Sequence, residues 1–277
     1  MRPFPITAVV CVKNGGKTIE RTLLSIKSNN VEQIIVVDGL STDDTLDIAR
    51  KYADKILSDE GKGLAYARQI GAENASSEFV AFVDADAVLP RNDTLLSMLT
   101  EMLSNRWVAI HSQLVDPRND KSYWEEGEDF HWDKYFNNPG ERRYLGTVIC
   151  IIKRELILKF RFDPIFTKAA EDADFFHRLG QMGHKFGVSQ TVGYHYHRST
   201  IKEFMRQRIN YGKENMKAMR KHRAPTLLFA PLAIAASGFL ISIRCKKPKF
   251  LFFYAVWGIS LAIGSLNGLL CARQSER

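Results

Sequence analysis

Residues 63–90 read GLAYARQIGAENASSEFVAFVDADAVLP, and the order of features in this stretch decides the fold. Residues 62–74 repeat at helical spacing. FVAFVD (79–84) is a short, wholly apolar run that ends in a carboxylate, the pattern of a strand buried on both faces. Asp84-Ala85-Asp86 then leaves the strand in a turn. A helix feeding a buried strand that ends in polar residues is half of a βαβ unit.

Reading outward, the same alternation recurs upstream. TAVVCV (7–12) reads as a buried strand, and residues 17–28 place Ile19, Leu23 and Ile26 on one helical face. IIVVD (34–38) is a second strand. Ser41-Thr42-Asp43-Asp44 has the form of a capping box opening a helix to Tyr52, and Lys55-Ile56-Leu57 is a short third strand. Such alternation predicts an α/β domain with a parallel sheet and helices on both faces. Ligands of these sheets bind at the carboxyl edge of the strands.

Downstream the pattern is less regular. WVAIH (107–111) and TVICII (147–152) read as strands, with helix and loop between Tyr123 and Tyr144. Residues 171–181 read as a helix and 192–197 as a strand. Thr200 and Glu203 would cap a helix reaching about His222. The tail then changes character. Ala224–Ile243 and Phe250–Ala272 are uncharged runs near the length of a bilayer crossing, separated by Arg244-Cys245-Lys246-Lys247-Pro248-Lys249. Two crossings is the simplest reading; an in-plane pair of helices and a buried core hairpin are the alternatives. The expected organisation is a domain over 1–200, a basic amphipathic interfacial helix over 201–223, and a membrane-associated hairpin over 224–277.

A hydrophobic fraction of 45% with 25% charged residues is that of an ordinary globular protein, so disorder is not the default reading. The formal charge of +8 points to an anionic partner. Much of the excess lies between Ile201 and Lys249, beside the most apolar sequence, which favours lipid head groups over nucleic acid. The N-terminal apolar run is too short for a signal peptide, so the first domain is expected to stay in the cytoplasm, on the inner face of the cell membrane. Cys11, Cys150, Cys245 and Cys271 form no zinc-binding spacing, and Cys11 and Cys150 read as core thiols.

Five groups carry candidate chemistry. Asp84 and Asp86, one residue apart after a strand, suit a hard divalent cation that shares its sphere with phosphate oxygens. Asp38, also at a strand end, is placed to accept a hydrogen bond from a nucleobase, and Gly39 allows a sharp turn after it. Arg68 offers a guanidinium suited to phosphate. Glu171 and Asp172, opening a helix, either complement its dipole or supply a general base. In Tyr194-His195-Tyr196-His197 an alternating strand would put both histidines on one face, to complete a metal sphere or bind phosphate. Taken singly, each of these is also a common structural feature.

Together they resemble family 2 glycosyltransferases, inverting enzymes of the GT-A fold, over about residues 5–215. VVDGLSTDDT is similar to that family's nucleotide-binding turn, VVDGGSTDGT. Residues 63–90 are similar to its Ala-Arg-x-x-Gly, strand, DxD and Pro series. AAEDADFFHRLGQMGHKF resembles its Glu-Asp-x-Asp helix. The resemblance implies a GT-A (nucleotide-diphospho-sugar transferase, Rossmann-like) domain with a C-terminal hydrophobic helical hairpin. It also implies a nucleotide-diphosphate sugar donor, a Mn²⁺ or Mg²⁺ cofactor and a single in-line displacement. By the same resemblance Asp38 contacts the donor base and Arg68 lies near the nucleotide. Asp84 contacts ribose or diphosphate, Asp86 ligates the metal, and Asp172 is the base with Glu171 beside it. His197 or His195 approaches the metal. Val12-Lys13-Asn14-Gly15-Gly16 departs from the family's Pro-x-Tyr-Asn-Glu segment. Arg206–Gly212 is not the Gln-x-x-Arg-Trp motif of processive members, so one sugar is expected per acceptor, and the tail suggests a lipid-linked acceptor. Two other readings compete: a degenerate, membrane-bound binding subunit, and a haloacid-dehalogenase-type phosphatase with Asp84 as nucleophile.

Overall fold

Four uncharged or nearly uncharged runs build one side of the sheet, in the computed structural model that describes residues 3–275 and the side chains up to residue 270. Strand β1 (Phe4–Val12) is followed by helix α1 (Ile19–Ser28), β2 (Val31–Asp38), α2 (Thr45–Ala49), β3 (Lys55–Ser58), α3 (Leu64–Glu73) and β4 (Phe79–Val83). These four strands are parallel, in the order β3-β2-β1-β4. All five residues of β4 are buried, so its apolar run has no solvent face to make polar.

Beyond the parallel strands expected from the regular alternation of the N-terminal part, the sheet continues as a mixed one. After the short β5 (Ala87–Val88) and α4 (Thr94–Ser104) come β6 (Ala109–Val115), α5 (Tyr123–Tyr135), β7 (Gly140–Arg142) and β8 (Ile149–Lys153). β8 is antiparallel to both β4 and β6. The physical reason is its connection. β6 ends at the carboxyl edge of the parallel strands and β8 starts from that same edge, so β8 can only run back antiparallel between β4 and β6. At that edge Asp84 N donates to Val148 O at 2.8 Å. α6 (Arg154–Phe160), α7 (Glu171–Gln181) and β9 (Phe186–His195) complete this part. β9 pairs parallel with β6 and antiparallel with β5 and β7.

The helix expected from Ser41 to Tyr52 shrinks to the five residues of α2, and no capping box forms. The would-be capping groups are used across the edge instead. Ser41 Oγ accepts from Asn14 N at 2.8 Å, and Asp43 Oδ2 accepts from Gly16 N at 3.0 Å.

Two compact units result. The first comprises residues 1–117, 136–167 and 171–196; the second comprises 118–135, 168–170 and 197–277. In the second, α8 (Ile201–His222) begins with Thr200 Oγ1 accepting from Glu203 N, the cap expected from sequence. A 3₁₀ turn at Pro225–Phe229 leads into α9 (Ala230–Arg244), and α10 (Phe250–Ser275) follows. Glycines let α8 and α10 touch backbone to backbone: a Cβ on Gly264 would stand 2.1 Å from Ile209 O, and one on Gly212 2.2 Å from Leu261 O. Phe130, Phe204, Phe250, Phe253, Tyr254 and Trp257 form the core of this unit.

Candidate active site

The carboxyl edge of the parallel strands gathers most of the expected residues. Asp38 ends β2, in register with Val12 of β1 and Ser58 of β3. Asp84 follows β4, which pairs with the other side of β1, so two strand spacings, about 10 Å, separate the two positions.

Asp38 is 5% exposed. Its Oδ2 accepts from Ser41 N at 3.0 Å, whereas its buried Oδ1 has no hydrogen-bond partner among the described residues. A buried carboxylate oxygen left this way is costly, by about 1–3 kcal/mol or more for a charged group, and an N–H donor is the partner it suits. The turn beyond it is made by Leu40, not by Gly39. Leu40 takes the left-handed conformation with φ +61°, at the position where the resembling family turn has its second glycine.

Asp84, Asp86 and His195 bring one ligand atom each within 4.8 Å of one another. His195 Nε2 lies 3.4 Å from Asp86 Oδ1. Two carboxylates and an imidazole are the donor set of Mn²⁺ or a similar cation, and the spacing fits oxygen and nitrogen ligands placed around one ion. Burial, with Arg68 opposing it and Asp86 adding to it, pushes the Asp84 carboxyl up to about 6, an electrostatic deficit that a bound cation removes. Beneath the turn, buried Thr22 of α1 donates to Ala85 O and Ala87 O at 3.0 and 2.8 Å. Nothing in a helical threonine signals this role in the sequence.

His197 is not part of this cluster. Strand β9 ends at His195, so the alternation expected to carry both histidines on one face stops there. His197 belongs to the second unit, with Nε2 3.2 Å from Asp129 Oδ1.

Arg68 is 4% exposed and is committed inward. Its Nη2 lies 3.2 Å from Asp84 Oδ1, and its Nη1 pairs with Glu171. Glu171, 2% exposed, is thereby the buried partner of a guanidinium. Asp172, the next residue, is the more accessible carboxylate. Ala173 N donates to its Oδ1 at 2.7 Å, and a Cβ on Gly146 would come no nearer than 3.8 Å to its Oδ2. Burial, the largest effect, raises the Asp172 carboxyl above its ordinary value, while Arg68 pulls it down. The loop before α3 is anchored to this region: Gly63, at φ +96°, has room for no side chain because Thr167 O lies 2.6 Å from its Cβ position.

Residues 7–163 match the family described as Glycosyl transferase family 2. The chain belongs to glycosyl transferase family 2. Among curated relatives, the cholesterol galactosyltransferase of Borreliella burgdorferi is 29% identical over 119 residues, 40% of this chain and 32% of that protein. The putative glycosyltransferase EpsH of Bacillus subtilis is 38% identical over 89 residues, 29% of this chain and 26% of that protein. The chain thus covers between a quarter and a third of the length of these two relatives. Among solved structures, a mannosyltransferase of Pyrobaculum calidifontis in complex with GDP-mannose and Mn²⁺ superposes with a TM-score of 0.67. It is 18% identical and is matched over 95% of this chain and 89% of its own. Glucosyl-3-phosphoglycerate synthase of Mycobacterium tuberculosis, with Mn²⁺ and UDP, gives 0.52 at 21% identity, over 75% and 77%. The fold is GT-A, with apolar C-terminal helices packed together. Asp84 follows the fourth strand of a GT-A sheet, which excludes the phosphatase reading.

Proposed function

We propose that this glycosyltransferase moves one sugar, with inversion at the anomeric carbon, from a nucleotide diphosphate to a lipid-linked acceptor at a membrane surface. The observation that carries the reading is the grouping of Asp84, Asp86 and His195 at the same sheet edge as Asp38, whose Oδ1 has no partner among the described residues. Asp38 accepts from the donor base. Asp84, Asp86 and His195 would hold a divalent cation, Mn²⁺ or Mg²⁺, whose charge stabilises the departing diphosphate. Asp172 accepts the proton of the acceptor hydroxyl as its oxygen bonds to the anomeric carbon and the bond to diphosphate breaks. Arg68 and Glu171 are positioning residues: their pair fixes the start of α7 and thus the direction of the Asp172 carboxylate.

The second unit supports a membrane surface as the site of action. Pro225–Arg244 and Phe250–Leu270 are long and apolar enough to cross a bilayer, and Phe229, Leu232, Leu240, Ile243, Phe252 and Leu266 are exposed. Basic residues at Arg244, Lys246, Lys247 and Lys249 flank them, as suits anionic head groups. Packing within the unit favours helices lying in the surface over the crossings expected from length. α8 runs beside α10 from Phe204 at Phe253 to Arg220 at Gly268. A crossing by α10 would carry Lys213, Lys217 and Arg220 into hydrocarbon, at about 2.5–3.5 kcal/mol each. The turn between α9 and α10 is also tied to the acidic helix α5, by Tyr123 Oη donating to Lys249 O at 2.6 Å and by the Lys249–Glu126 ion pair. A hairpin with that turn on the far side of the bilayer would break both contacts.

The test is to incubate the full chain with UDP-, GDP- and dTDP-sugars and a lipid extract, following label into the organic phase. One donor should be consumed with its sugar recovered on lipid in the inverted configuration. Transfer to soluble sugars alone would overturn the lipid acceptor.

A further inference from the structure

The segment Arg206–Gly212, which the processive motif does not explain, lines a cavity of about 340 Å³ within the second unit. Its walls are Lys168 and Ala169, Arg198, and Glu203, Arg206, Gln207, Asn210 and Tyr211 from the first turns of α8. Three cations face one carboxylate. That carboxylate, Glu203, is already engaged by the Thr200 hydroxyl at 2.9 Å. Among the described residues, none of Lys168, Arg198 and Arg206 has an ion-pair partner within 4.0 Å, while neighbouring Arg208 pairs with Glu128 and Arg118 with Glu125. Cations grouped at one concavity repel each other, and that repulsion is relieved by a polyvalent anion; forked guanidiniums together with amide and hydroxyl donors suit phosphate oxygens in particular. The cavity's volume accommodates a phosphate with its ester substituent, and Gln207 and Asn210 add uncharged donors.

Covalent continuity ties both cationic walls to the reaction centre. Lys168 precedes Asp172 by four residues, and Arg198 follows His195 by three, spans of at most about 14 and 11 Å of extended chain. We propose that this cavity binds the phosphate group of the acceptor. The assignment rests on the transferase reading above and gives the acceptor its chemical class, a phosphate ester. The phosphate is the handle by which the second unit holds the acceptor.

The test measures anion binding to the full chain in neutral detergent, with donor binding followed in parallel. One arm titrates glycerol 3-phosphate; the other uses phosphatidylcholine vesicles with and without phosphatidic acid, beside vesicles of equal charge carrying oleate. The variant Lys168→Gln/Arg206→Gln is compared with Lys246→Gln/Lys247→Gln, which removes the same charge outside the cavity. The expected result is binding at least tenfold weaker in the cavity variant, near wild type in the control, and weaker for oleate than for phosphatidic acid. Response in the soluble arm names a free phosphate ester, and response only in the vesicle arm names a lipid headgroup. Equal losses in the two variants, or no phosphate preference over oleate, would overturn the proposal. Nucleotide-sugar binding that stays intact in the wild type while phosphate fails to bind refutes the cavity alone. Phosphate binding at the cavity with no donor bound refutes the transferase reading alone.

Discussion

Replacing Arg68 with Met should destabilise the first unit sharply, and replacing its partner as well should restore much of the loss. Arg68 and Glu171 are 4% and 2% exposed, and Arg68 pairs with Glu171 and with Asp84. Removing one member of a buried ion pair leaves an uncompensated charge and costs about 3–5 kcal/mol. The share from Asp84 is discounted, because about a third of its side chain is exposed and water solvates it. At about 2–4 °C per kcal/mol for a domain of this size, Arg68→Met should lower the melting temperature by roughly 6–20 °C. In Arg68→Met/Glu171→Leu the stranded carboxylate is gone, and apolar replacements of similar volume are often neutral or stabilising. The assay is thermal unfolding of the full chain in detergent, for wild type, both single variants and the double variant. A single variant melting within about 2 °C of wild type, or a double variant no better than the single, would refute the pairing as the reason Arg68 is buried.

Other consequences follow from the same edge. Asp38→Asn turns one buried acceptor into a donor, so donor affinity should fall roughly 10- to 150-fold, the worth of a charge-assisted hydrogen bond of about 1.5–3 kcal/mol; calorimetric titration of the nucleotide sugar reads it, and unchanged affinity would remove Asp38 from the base contact. Because burial raises the Asp172 carboxyl, its carboxylate form is gained only as pH rises through that raised value. The transfer rate should therefore fall on the acid side with a midpoint above the ordinary aspartate value. A raised folded-state value also means that this group's stabilising contribution is lost as pH rises, so Asp172→Asn at neutral pH should melt at or above the wild-type temperature. In sealed vesicles, a cysteine placed at Lys247 in a cysteine-free background should react with an impermeant maleimide on the same side as the first unit. Labelling only from the opposite side would establish a spanning hairpin.

Much of this was readable because the informative residues act through local pattern. Apolar runs ending in carboxylates at Asp38 and Asp84 marked both strands and their carboxyl edge, and the Thr200–Glu203 cap fixed the start of α8. What was not readable depends on partners distant in sequence. β8 looks like its parallel neighbours, since a strand buried on both faces is apolar in either direction. Ser41 and Asp43 looked like helix caps because Asn14 and Gly16, their hydrogen-bond partners, lie 27 residues away. His195 and His197 were indistinguishable until the end of β9 was known. The apolar length of α10 pointed to a crossing, and its glycine seam with the charged α8 and the ties of the α9–α10 turn to α5 argue otherwise.

The central claim is metal-assisted transfer with Asp172 as base, and release of nucleoside diphosphate from the donor tests it most directly. Membranes bearing wild type or Asp172→Asn are supplied with Mn²⁺, Mg²⁺ or EDTA, one nucleotide sugar at a time, and a lipid extract. The account predicts cation-dependent release from one donor by wild type, about 10²–10⁴-fold slower in the variant, with donor binding retained in both. Release that EDTA leaves unchanged, release at the wild-type rate by Asp172→Asn, or no donor bound by wild type at all would contradict it.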